Sequence, residues 1–102
     1  DEGNYELSIF KDVLFKADSE NIPMTVHAGE WVQPELKCEK NIELCCEYDN
    51  IKRIGHGLTI TRDIDLIKLV KRQDKSIECC LTGNCGFGKK IKGYRLHPSS
   101  KM

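Results

Sequence analysis

Three short apolar runs, "PMTVHA" at 23–28, "IKRIG" at 51–55 and "SIECCL" at 76–81, alternate with stretches of helical patterning. This alternation is the strongest constraint on the fold. Strands that return through a helix must lie parallel, because a parallel pair cannot be joined by a tight turn. The first helix is expected over residues 5–20, where Leu7, Phe10, Leu14 and Ala17 recur at steps of three and four and Val13 widens the stripe. Asn4 is its expected N-cap, and Asn21 and Pro23 end it. Residues 31–37, with Pro34, read as a loop. A second helix is expected over 38–48, with Ile42, Cys45 and Cys46 on one face, before a turn at Asp49-Asn50. Thr61 is the expected cap of a third helix over 62–73, whose apolar residues include Ile64, Ile67, Leu69 and Val70. After Gly83 the pattern weakens, and 85–102 is expected to be loop or poorly ordered. The fold class is therefore α/β with parallel strands.

A chain of 102 residues suffices for one small domain. Its 16 basic and 16 acidic residues cancel, so the basic excess of a general nucleic-acid binder is missing. Lys89, Lys90, Lys92, Arg95 and Lys101 follow the last acid, Glu78, and read as a solvated tail or loop. No run of about 18 apolar residues and no basic-then-apolar leader occurs, so neither membrane nor secretion is implied and a cytoplasmic location is expected. The chain starts at Asp1, as expected of a processed protein or a piece of a longer one. The six cysteines, Cys38, Cys45, Cys46, Cys79, Cys80 and Cys85, form no CxxC. They are read as small buried hydrophobes in a reducing compartment.

In parallel α/β folds functional groups gather where strands end. His27-Ala28-Gly29-Glu30 closes the first strand and Gly55-His56-Gly57 the second. Strands one βα unit apart often lie side by side, so His27, Glu30 and His56 are expected to meet in one cleft. Small neighbours leave room beside each imidazole, and Gly29 permits a sharp turn or close ligand approach. Imidazole binds divalent metals or moves protons, and a carboxyl beside it can do acid–base work. The plain alternative is a hydrogen-bonded structural role for each histidine. Trp31 reads as packing over the strand ends, and Asn84 as a site residue or a turn residue.

The segments "TVHAGEW" at 25–31, "IKRIGHGLTI" at 51–60 and "IECCLTGN" at 77–84, with a weaker "LHPS" at 96–99, resemble the adenosine deaminase family. The opening "DEGNYELSIF" is similar to the segment after that family's fourth barrel strand. The resemblance implies part of a parallel (β/α)8 TIM-type barrel, about strands five to seven with their helices. It implies a zinc-dependent hydrolase acting on a purine nucleoside, converting adenosine or deoxyadenosine to inosine and ammonia in purine salvage; it does not imply a protein partner. By the same resemblance His27 is a zinc ligand and Glu30 the proton donor to the purine ring. His56 then orients the attacking water and handles its proton, and Gly29 and Asn84 bind substrate. The PCxxC signature of cysteine-ligated deaminases is missing, so the cysteines gain no role from it.

The family's first-strand His-x-His pair and final-strand Asp-Asp pair are absent from these 102 residues, and Gly83 stands where a Ser usually precedes the Asn. His27 alone cannot hold a catalytic zinc, which takes three or more protein ligands. The chain by itself is therefore expected to be inactive. An AMP or other purine deaminase, a non-catalytic relic or binding module, and a small α/β domain with structural histidines are the rival readings.

Overall fold

The computed structural model describes residues 2–85 and 94–102. Its centre is a three-stranded parallel sheet, β1 (Met24–Ala28), β2 (Ile51–His56) and β3 (Ser76–Glu78), in the order β1-β2-β3. Helices α1 (Lys11–Ser19), α2 (Glu39–Cys45) and α3 (Ile64–Arg72) alternate with the strands, and α4 (Leu81–Cys85) follows β3. The α/β class and parallel pairing agree with the sequence, and the arrangement is consistent with part of a (β/α)8 barrel.

Strand register sorts the side chains onto two faces. Val26, Ile54 and Ile77 pair across the sheet, and so do His27, Gly55 and Glu78. Because side chains alternate along a strand, the first set faces the helices and the second the opposite side. The helix side is the core, with Ile42, Cys45, Ile51 and Ile54 fully buried beside Leu14, Leu66 and Val70. The other face carries exposed Thr25, His27, Arg53 and Ser76. Arg53 pairs there with Glu78.

Local contacts explain where the elements depart from expectation. The first helical stretch splits into a 3-10 turn, Leu7–Phe10, and α1. Leu7 N–H is drawn to Asn41 Oδ1 at 2.9 Å, which ties the start of the stretch to α2. The N-cap position of this turn is Glu6, two residues after the expected Asn4. Only Leu14 of the expected stripe is buried, while Phe10 and Val13 are 51% and 67% exposed, because no element among the described residues covers them. Thr61 falls inside a 3-10 turn, Leu58–Arg62, and its hydroxyl donates to the Leu58 carbonyl. The first extended residue after that turn is Asp63, whose carboxylate caps α3 by accepting from Asp65 and Leu66 N–H. The third strand stops at Glu78, so Cys79 and Cys80 are exposed rather than buried. Within the expected tail, 86–93 lies outside the described residues, whereas Tyr94–Leu96 and Pro98–Lys101 form 3-10 turns around a buried His97.

Two predictions arise from this packing. Among the described residues the sheet has two unpaired edges and one face without covering helices, so the isolated chain buries too little apolar surface for a concerted transition. It should melt broadly and tend to aggregate; a sharp, reversible transition of a monomer would contradict this. Cys38 and Cys45 are fully buried, and burial pushes their thiols up to about 11 and about 12. The thiolate is the reactive form. In the full-length protein at pH 8 both should resist alkylation until denaturant is added, as mass spectrometry would show. Labelling of either in the native state would contradict the packing.

Candidate active site

The strand ends are zipped together by backbone. Gly57 N–H donates to the Ala28 carbonyl at 3.0 Å, and Thr59 N–H to the Gly29 carbonyl at 3.1 Å. These bonds seat the loop after β1 on the loop after β2. Simple alternation would send His56, partner of buried Ala28, towards the helices. Its φ of +67° lies in the left-handed region, costly for a residue with a Cβ, and departs from the extended strand geometry that alternation assumes. The His56 and His27 rings meet edge to face, 4.8 Å between centroids. Gly55 makes the approach possible, since a Cβ there would lie 2.7 Å from His27 Cδ2.

Glu30 reaches the same spot from the other side of Gly29. The turn at Gly29 has φ +74°, and a Cβ would sit 2.5 Å from Ile42 Cδ1, so glycine is required on both counts. Gly29→Ala should cost about 2–4 kcal/mol, combining left-handed strain with overpacking. Denaturant unfolding of the full-length protein measures it; a loss below about 1 kcal/mol would refute the close fit.

Glu2 holds this turn. Its carboxylate accepts from Gly29 N–H at 2.6 Å, Glu30 N–H at 2.7 Å and Asn41 Nδ2 at 2.7 Å. Nothing in the sequence around Glu2 signals this, because its partners lie 27 to 39 residues away. A groove of about 330 Å³ bordered by Glu2, Tyr5, Phe10, Val26, His27 and Glu30 adjoins the site along the outer side of β1.

The result is a three-residue cluster. Ligand atoms of His27, Glu30 and His56 lie within 4.8 Å of one another, from an exposed, a half-buried and a buried residue respectively. His56 Nε2 stands 3.7 Å from Glu30 Oε2, within ion-pair range but beyond hydrogen-bond distance. Two imidazoles and a carboxylate suit a borderline divalent ion. Behind the cluster, Asn84 is fully buried, with its Nδ2 2.9 Å from His56 Nδ1 and its Oδ1 3.3 Å from His97 Nε2. Asn84 thus meets His56 from within the structure. His97, which the sequence reading placed only in a weak motif, joins the network through it.

The chain matches the adenosine deaminase family over residues 1–99. It is 33% identical over 98 residues to an adenosine deaminase of Plasmodium gallinaceum, covering 95% of this chain and 26% of that protein. It is 34% identical over 94 residues to one of Plasmodium falciparum (isolate 3D7), covering 91% and 24%. Against one of Clostridium perfringens (strain SM101 / Type A) the figures are 33% over 92 residues, 90% and 26%. The chain spans about a quarter of the length of the curated relatives it matches. Among the described residues no helix is long and apolar enough to cross a membrane.

Proposed function

Because the chain belongs to the adenosine deaminase family, we propose that it forms the fifth to seventh strands of a (β/α)8 barrel that hydrolyses adenosine or deoxyadenosine to inosine and ammonia. The observation that carries the proposal is the meeting of His27, Glu30 and His56 from two separate strand ends. In this reading His27 is one ligand of a zinc ion, with the remaining ligands supplied by other parts of the barrel. The residues present fit that group: an exposed imidazole beside a second imidazole and a carboxylate is a donor set zinc accepts. When bound, zinc brings the ionisation of the attacking water down to about neutral pH.

This chain's residues do the rest. Glu30 gives a proton to the purine ring nitrogen beside the amino-bearing carbon, which makes that carbon electrophilic. His56, held across from Glu30, orients the attacking water. Gly29 lets the ring lie close to the backbone, since no Cβ intervenes. We place the protein in the cytoplasm, where its six free thiols persist.

The test is inosine formation by the full-length protein with its metal content measured in parallel. Activity that disappears on chelation and returns with zinc supports the reading. A zinc-replete, folded protein that forms no inosine would overturn it.

A further inference from the structure

The chain from Glu2 to Tyr5 crosses the carboxyl end of β1 as a strap fixed on both sides of Tyr5. Glu2 grips Gly29 and Glu30 N–H, and the Gly3 backbone lies so close to the Trp31 indole that a Cβ there would be 3.0 Å from Cε2. Two residues past Tyr5, Leu7 N–H is bound to Asn41 Oδ1. Tyr5 itself is 62% exposed, although the backbone around it is held. It borders the same groove as His27 and Glu30. Beside Thr25 and Val26 that groove follows a strand edge with no partner among the described residues. A closed barrel pairs every strand on both sides, so a neighbouring strand fills that stretch. Tyr5, on the strap, and Glu30 lie beyond the last residue of β1, Ala28, where a barrel opens to its ligand.

We propose that Tyr5 is a substrate-contacting residue: its ring packs against the nucleoside beside Glu30 and sets part of the affinity for it. The proposal rests on the deaminase reading and extends it to a residue outside the strand-end motifs. His27 and His56 stand ring to ring beside Glu30. A purine whose reacting carbon meets that cluster has the rest of its bulk directed along the groove, towards Tyr5. An aromatic ring suits that place. A purine offers a π-face, and a tyrosine covers it by fixing few side-chain torsions. The held strap lowers the cost further, since its backbone is already ordered. The contact is remote from the reacting carbon, so it is made alike in the bound substrate and the transition state. It therefore acts on KM and leaves kcat alone. A face contact does not use the phenol hydroxyl, so phenylalanine serves equally well.

The experiment is steady-state kinetics on the zinc-replete full-length protein, with 19F NMR of the same protein carrying 3-fluorotyrosine. Tyr5→Ala should raise both the KM for adenosine and the inhibition constant of the product inosine about tenfold or more, the effect of removing one base–aromatic stack, with kcat within about twofold. Tyr5→Phe should match the unsubstituted protein. Because the side chain is exposed, the denaturant midpoint of neither variant should move, as it would if Tyr5 served only to hold the fold. The Tyr5 fluorine signal, assigned by its loss in Tyr5→Phe, should shift when inosine saturates the site. An unchanged KM and inosine inhibition constant in a folded Tyr5→Ala protein would overturn the proposal. So would a Tyr5 signal that inosine leaves in place, even if Tyr5→Ala does not fold. A folded, zinc-replete protein that forms no inosine would overturn the deaminase reading and the proposal with it. A protein that forms inosine but fails either Tyr5 test loses the proposal alone.

Discussion

Replacing Glu30 by Gln in the full-length protein should lower kcat for adenosine about 10²–10⁴-fold, the range for losing a positioned acid or base. The substitution keeps the size of the side chain and leaves the backbone bond from Glu30 N–H to Glu2 in place. What it removes is the ionisable carboxyl group, whose Oε2 stands 3.7 Å from His56 Nε2. An amide can still donate a hydrogen bond to a ring nitrogen, so KM should move only a few-fold while kcat collapses. That split separates loss of a transition-state interaction from loss of binding. Deamination at the original rate would show that Glu30 is not the proton donor.

The second large effect is expected at Glu2. Its carboxylate gathers Gly29 N–H, Glu30 N–H and the Asn41 amide on two oxygens. Hydrogen bonds to a charged group contribute roughly 1.5–3 kcal/mol each. The site is only half-buried, so water replaces part of what is lost. Glu2→Ala should cost about 2–4 kcal/mol in denaturant unfolding. Activity should fall by about tenfold or more, because Glu30 is no longer pinned and small misplacements cost rate steeply. Glu2→Gln should be intermediate in both measurements, since its amide nitrogen opposes one of the donors it replaces. An unfolding free energy for Glu2→Ala within error of the unsubstituted protein would rule out the clamp.

The architecture was largely legible because it depends on local pattern. Apolar periodicity marked the strands, and the runs at 23–28 and 51–55 match β1 and β2 to within a residue. The errors cluster where a distant group intervenes. Phe10 and Val13 have helical spacing, but spacing alone cannot say whether a neighbour exists to cover them. Asp63 outcompeted Thr61 as a cap because the 3-10 turn before α3 moved the first extended residue two positions along. Cys79 and Cys80 were read as buried because an apolar run looks the same wherever its strand stops.

By itself the sequence determined the parallel α/β order and the identity of the motif residues His27, Glu30 and His56, since both follow from residue type and spacing along the chain. Only the tertiary structure decided how those residues face one another. The left-handed turn at His56, the grip of Glu2 on Gly29 and Glu30, and the line from Ser99 through His97 and Asn84 to His56 all join groups far apart in sequence. Hydrogen-bond direction and ring orientation are set by which donor meets which acceptor in space, and no one-dimensional spacing encodes that.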